Sequence, residues 1–296
     1  MTAERVANSG APGRPMQVYS SDGTRLHALV FGPEGAPTIV LSHGITNDNT
    51  AWQYQIEALS DRFRVVAYDQ RGHGQSAPAA RERLSVEALA EDVQAILEKC
   101  VPAGERVVLA GHSMGGISIM SWAQRHSGEV ELRVAAVLLL NTAANGILDH
   151  IALVGIPRPA HGVARAVVRQ RLLAVIRGSS TRPLRYLVFG DVARTEDLAH
   201  LRRMIRQCPP QTLHGFIQSL TRMELLGGLS ALTVPVVVYA GQRDRLLPPV
   251  HSRRIAKRLP KLETFVIRPG VGHMGQFESA EEVAFVLSDL AERYLP

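Results

Sequence analysis

The chain has 296 residues, is 46% hydrophobic and 20% charged, and carries a formal net charge of +6. That composition supplies a large core for one soluble α/β domain with an insertion. No apolar run approaches the ~20 residues that span a bilayer. Cys100 and Cys208 are far apart, fit no metal or redox spacing and read as reduced thiols of a cytoplasmic protein. No ligand cluster calls for a metal, and no aromatic-basic interleaving points to nucleic acid. Residues 1–15 are polar and rich in Gly and Pro, without a basic segment leading into an apolar one. They read as a disordered leader, not a secretory signal.

Met16 to Tyr19 and Arg25 to Phe31 alternate in the manner of strands, and the Asp22-Gly23 turn between them predicts a hairpin at one sheet edge. Pro37 to Leu41 is a continuous apolar run suited to a strand buried on both faces. Trp52 to Leu59 has helical spacing. Arg64 to Tyr68 is the next buried strand and ends in Asp69-Gln70-Arg71-Gly72-His73-Gly74-Gln75-Ser76. Ser85 is placed to cap a helix whose apolar positions run through Val86, Leu89, Val93 and Ile96. Val107 to Ala110 and Val134 to Leu140 are two further strands, separated by a helix from Met114 to about His126. Such alternation predicts a mostly parallel, eight-stranded sheet flanked by helices, with ligands beyond the carboxyl ends of the strands.

After Leu140 the alternation stops. Residues 144–225 read as a helical cap, broken at Pro157, Pro159, Gly178, Pro183, Gly190 and Pro209-Pro210. The core is then residues 16–143 and 226–296. It resumes with a strand from Val234 to Ala240, a helix from Val250 to Leu259 and a last strand from Thr264 to Ile267. Ser279 to Glu282 matches a capping box in front of a closing helix that ends at Tyr294.

Gly111-His112-Ser113-Met114-Gly115 lies between a strand and a helix. A serine flanked by glycines at that junction makes a sharp elbow, because the two backbones come too close for a Cβ at Gly111 or Gly115. The serine then takes a positive φ that its surroundings must impose. Its hydroxyl needs a base, and the base needs an acid to fix its tautomer. Asp244, after the strand that follows the cap, and His273, in the Gly-rich loop after the last strand, are candidates for these partners, and both loops open on the same sheet edge as Ser113. His43, His73 and His112 sit in tight turns and read as residues held by local hydrogen bonds. The end of the sixth strand, Leu140-Asn141-Thr142, offers no competing carboxylate. Ser42-His43-Gly44-Ile45 is positioned to lend a backbone N–H from Ile45, beside that of Met114, to a developing oxyanion.

Taken together, Ser42-His43-Gly44, Asp69 to Ser76, Gly111 to Gly116, Gly241-Gln242-Arg243-Asp244 and Gly272-His273 resemble the α/β-hydrolase superfamily. The likeness is to its capped branch of serine esterases, lipases, perhydrolase-like proteins and epoxide hydrolases. The resemblance implies catalytic Ser113, Asp244 and His273, and a structural role for the Asp69 turn. Epoxide hydrolases and haloalkane dehalogenases of this branch carry aspartate where this chain has Ser113, so acyl transfer to water is the expected reaction. It needs no cofactor. The expected substrate is a small ester with an apolar acyl group, as for a carboxylesterase or a monoacylglycerol-type lipase. A thioesterase, a C–C bond hydrolase or a perhydrolase shares the same triad, and a non-catalytic ligand-binding protein shares the fold.

The charge is concentrated in the cap. Between Asn145 and Leu225 stand twelve arginines, no lysine and five acids, so this segment carries +7 and the remainder −1. From Ala160 to Ile176, arginines alternate with apolar residues. Two readings follow: the apolar side roofs the site and the arginines are solvated, or the helix makes weak contact with an anionic membrane surface.

Overall fold

A computed structural model describes residues 13–147 and 161–296. Eight strands form one sheet in the order β1-β2-β4-β3-β5-β6-β7-β8. They are β1 Arg14–Tyr19, β2 Arg25–Phe31, β3 Thr38–Ser42, β4 Arg64–Asp69, β5 Val107–His112, β6 Val134–Leu140, β7 Val236–Gly241 and β8 Leu262–Arg268. Strands β1 and β2, and β2 and β4, pair antiparallel, and every later pair is parallel. This is the mostly parallel, helix-flanked sheet expected, with the hairpin at its edge.

The first strand begins two residues earlier than expected, at Arg14, so residues 14 and 15 belong to the sheet and not to the leader. Pro15 lacks an N–H, and an edge strand is where a sheet tolerates that. Residues 1–12 of the expected leader lie outside the described residues, as do 148–160 of the cap with Pro157 and Pro159.

The central strands are buried along their whole length, and their successive side chains serve two cores. Val40, Val66 and Leu109 pack with Leu89 and Val93 of the helix Val86–Cys100 and Ile117 of the helix Met114–Arg125. Ile39, Leu41 and Val108 pack instead with Ile56 of the helix Gln53–Leu59 and with Val283 and Leu287 of the closing helix Ala280–Tyr294. Removing one such side chain, as in Leu109→Ala, costs about 2–5 kcal/mol. Ser85 caps its helix as expected, accepting from the Ala88 N–H at 3.1 Å.

The capping box at the closing helix does not form. Ser279 is the N-cap, but its side chain makes no capping bond. Glu282, the box's other half, accepts from the Tyr239 hydroxyl at 2.7 Å and pairs with Arg268 at 3.1 Å. A tertiary partner has replaced the local one.

Among the described residues the cap consists of four helices, His161–Arg177, Thr181–Val188, Thr195–Gln207 and Pro210–Leu220. Pro183 does not break a helix. It sits in the first turn of Thr181–Val188, where its missing N–H has no intrahelical partner to lose. Leu173, Ile176, Leu184, Leu201, Met204 and Leu213 form a third apolar cluster that ties the cap to Met274 and Phe277 of the core.

Candidate active site

Ser113 lies between β5 and the helix Met114–Arg125 with φ 52° and ψ −116°. A serine in that region is strained by roughly 1–3 kcal/mol. Its neighbours hold it there. The Ser113 N–H donates to the Leu140 carbonyl at 3.0 Å, and the Ser113 carbonyl accepts from Gly116 N–H and from Thr142 Oγ1. A Cβ on Gly111 would stand 2.5 Å from the Gly115 backbone, and one on Gly115 would strike the Ser42 carbonyl. Both glycines are therefore required by the crossing of strand, helix and β3 loop.

Ser113, His273 and Ile45 line one cavity beyond the carboxyl ends of the strands. The His273 ring bonds through Nδ1 to Asp244 Oδ2 at 2.8 Å, and both residues are buried. Since the ionised carboxylate can only accept, Nδ1 carries the proton and Nε2 is left as the acceptor. Asp244 Oδ1 takes the N–H groups of Leu246 and Leu247 at 3.0 and 2.7 Å. Its side chain is thus fixed from both oxygens.

Gly44 lies directly against the elbow. A Cβ there would sit 2.8 Å from His112 Nδ1 and 3.1 Å from Ser113 Cβ. Ile45 follows it into the cavity. Met114 is wholly buried at the head of the elbow helix.

Of the three turn histidines, His43 and His73 make the local bonds expected of them, whereas His112 bonds to residues more than 160 positions away. His43 Nδ1 donates to the Gly44 carbonyl at 2.8 Å, and its Nε2 accepts from Gln70 N–H at 3.0 Å. His73 Nδ1 donates to the Arg71 carbonyl and Nε2 accepts from Thr46 N–H; burial, followed by the nearby His43, pushes it down to about 3. His112 has a further task. Its Nε2 donates to the backbone carbonyl of His273 at 2.9 Å, and its ring lies 4.9 Å from the His273 ring. Burial, with His273 second, holds His112 well below its ordinary value, so it remains neutral. The Asp69 turn is occupied by structural bonds. Asp69 accepts from His27 and from the N–H groups of Asn49 and Gln75, while Arg71 forks onto Asp92 at 2.6 and 2.7 Å.

Three residues of the site were not singled out from sequence. Asn141, with φ 47°, donates Nδ2 to Asp244 Oδ2 and to the Gly272 carbonyl, each at 3.0 Å. Gln276 donates to His112 Nδ1 at 3.3 Å. Glu278 accepts from the N–H groups of Gly272 and Gly190. Apart from the Glu278–Gly272 bond, only the approach of distant segments gives these side chains their partners.

The cavity next to Ser113 is apolar and narrow, about 50 Å³, with Ile117, Leu172, Ile176, Ile217 and Leu220 among its walls. Leu172 and Ile176 belong to the first cap helix, so its apolar side does roof the site. A larger groove of about 460 Å³ runs between the helix Val86–Cys100 and the last cap helix, and none of Ser113, Asp244 or His273 lines it. Among the described residues no group of His, Cys, Asp and Glu is arranged to hold a metal. No described helix is long and apolar enough to cross a membrane.

The family model described as the alpha/beta hydrolase fold matches residues 37–280. The chain is 30% identical over 298 residues to the dihydrolipoyllysine-residue acetyltransferase component of the acetoin cleaving system of Pseudomonas putida, covering 95% of this chain and 71% of that protein. It is 27% identical over 232 residues to 3-oxoadipate enol-lactonase 1 of Acinetobacter baylyi, covering 77% and 79%. A solved structure of a thermophilic esterase from Thermogutta terrifontis superposes with a TM-score of 0.74 at 24% identity, over 95% of this chain and 98% of that one. This last likeness is one of fold.

Proposed function

Since the chain belongs to the α/β-hydrolase family and is a hydrolase, we propose that it cleaves carboxylic esters through an acyl-enzyme on Ser113. The observation that carries this reading is the strained Ser113 sharing a cavity with a His273 whose Nδ1 is bonded to buried Asp244. His273 Nε2 takes the proton of Ser113 Oγ as the serine attacks the ester carbonyl. The tetrahedral oxyanion is met by the backbone N–H groups of Ile45 and Met114, where one donor contributes roughly 3 kcal/mol. His273 then protonates the departing alkoxide. Water, deprotonated by the same imidazole, attacks the acyl-enzyme and releases the acid. Asp244 stays ionised and stabilises the imidazolium.

An ester fits better than a charged substrate because the walls beside Ser113 are apolar. The likeness to an enol-lactonase, whose name denotes a cyclic ester substrate, supports the same bond class. A second proposal concerns the cap, which exposes Val163, Val167, Tyr186 and Val192 within its arginine-rich sequence. Weak contact with an anionic lipid surface follows, to be tested by co-sedimentation with anionic vesicles at low salt; no sedimentation would remove it.

The decisive experiment on the reaction is labelling with a fluorophosphonate, alongside hydrolysis of p-nitrophenyl esters, thioesters and peracid formation. The wild type is expected to label and to favour oxygen esters, and Ser113→Ala to do neither. Absence of labelling in the folded wild type would return the chain to a ligand-binding reading.

A further inference from the structure

The edge of the cap lies on the loop that carries His273, and the contact is backbone to backbone. The Val188 carbonyl accepts from both His273 N–H at 2.8 Å and Met274 N–H at 3.1 Å, and Asp191 N–H donates to the Gly270 carbonyl at 2.7 Å. A Cβ on Gly190 would strike the Gly270 carbonyl, and one on Gly272 would fall against Phe189 and Gly190. One carboxylate closes this seam. Glu278, in the short helical turn Gly275–Glu278, accepts Gly190 N–H on Oε2 at 2.6 Å and Gly272 N–H on Oε1 at 2.9 Å. The two donors stand 88 and 6 residues away in the chain.

We propose that Glu278 is a positioning residue that clamps the cap edge to the His273 loop, so that the base is in register with Asp244 only when the cap is seated. This rests on the reading of His273 as the base. The chemistry of the clamp is specific. An ionised carboxylate offers two acceptor oxygens and matches two N–H groups. A carboxylic acid or an amide offers one acceptor and sets a donor against the other N–H. Burial, relieved in part by the two N–H donors and reinforced by the nearby Asp244 carboxylate, pushes Glu278 up to about 7. The titratable groups that face it are Asp244 on the loop after β7 and His273 on its own loop. Beyond them, Asp191 at the cap edge stands beside Gly270 and pairs with Arg243 at 3.6 Å.

The test uses Glu278→Gln and Glu278→Asp in the full chain, with p-nitrophenyl butyrate as substrate and serines counted by fluorophosphonate. The expected result is a fall in kcat per labelled serine of up to about a hundredfold for Glu278→Gln, with KM little changed and the acid limb of the pH profile moved. Glu278→Asp, which keeps the charge, should recover part of the loss. If Glu278→Gln only lowers the number of labelled serines, leaving kcat per serine and the pH profile intact, the proposal is overturned. A second measurement needs no variant and no activity. In the wild type, the amide protons of Gly190 and Gly272 should titrate together with a midpoint of about 7. Independent or absent titration of the two overturns the clamp. A wild type that takes no fluorophosphonate would remove the role of Ser113 while the amide experiment still decides the seam.

Discussion

The side-chain amide of Asn141 donates to Asp244 across 3.0 Å, onto the same Oδ2 that accepts from His273. Asn141 stands at the end of β6 in a left-handed conformation, φ 47°, which asparagine tolerates better than most residues. Replacing it by leucine leaves Asp244 and the Gly272 carbonyl each short of a donor. We expect a loss of about 1–3 kcal/mol in stability, seen as a lower urea midpoint, with a parallel fall in kcat. Asn141→Asp keeps the shape but places a second carboxylate at hydrogen-bond distance from the first. One of the pair must then hold a proton, and activity should fall without a matching loss of fold.

Asp244→Asn removes the charge that fixes the His273 tautomer. An amide at this position can present an N–H to Nδ1 and turn the ring's proton onto Nε2, where it cannot accept from Ser113. The expected loss in kcat is about 10⁴-fold. Stopped-flow measurement of p-nitrophenolate release checks it.

Gly44→Ala probes the oxyanion loop. The new methyl would stand 2.8 Å from His112 Nδ1 and 3.1 Å from Ser113 Cβ. The loop must shift, and the Ile45 N–H shifts with it. Loss of one such donor costs about 10²–10³-fold in kcat. Binding of an inert ester analogue, followed by calorimetry, should change far less.

Ile176→Ala tests where the acyl group lies. Ile176 stands in the wall of the cavity of about 50 Å³ beside Ser113 and in that of the compartment that holds His273. On the proposed ester reading the acyl group lies against this wall. Ile176→Ala is expected to raise the ratio of kcat/KM for octanoate over acetate by about tenfold or more, the scale of one or two methylenes in an apolar pocket. An unchanged ratio would place the acyl group elsewhere.

Glu278 also sets a pH dependence of stability. Its ordinary value of 4.5 is pushed up to about 7 in the fold. Between those values the folded chain binds more protons than the unfolded one. The group's contribution is therefore complete below about pH 4.5 and is lost as pH rises through 7. Glu278→Gln removes this dependence. Relative to the wild type it should become more stable from pH 5 to pH 8, by roughly 3 kcal/mol at most. Urea titrations at the two pH values measure the difference.

What sequence revealed and what it hid divide along the chain's own geometry. The elbow was legible because Gly111, Ser113 and Gly115 are neighbours, and their spacing states a local steric need. Asp244 and His273 were legible because each closes a strand at the same sheet edge. Asn141 was read only for the carboxylate it lacks, since its bond to Asp244 spans 103 residues. His112 was read as a turn residue; its hold on the His273 carbonyl spans 161. The capping box failed for the same reason, because Tyr239 and Arg268 compete for Glu282 from other strands. Pro183 misled because proline breaks a helix interior and suits a first turn, and only the helix start distinguishes them.

The two ends of the cap meet. Leu225 N–H donates to the Ala144 carbonyl at 2.8 Å, Asn145 bridges to Glu224, and the Asn145 amide reaches the Glu224 carboxylate at 3.0 Å. Seen from the sheet, some eighty residues depart and return through one narrow doorway. Loop closure across such a doorway grows only with the logarithm of length, about 0.6 kcal/mol per doubling. The insert can thus lengthen or shrink away from the Val188–Asp191 seam while β6 and β7 keep their register. Changes in the insert's length away from that seam then leave the strand ends that carry Ser113 and Asp244 in place.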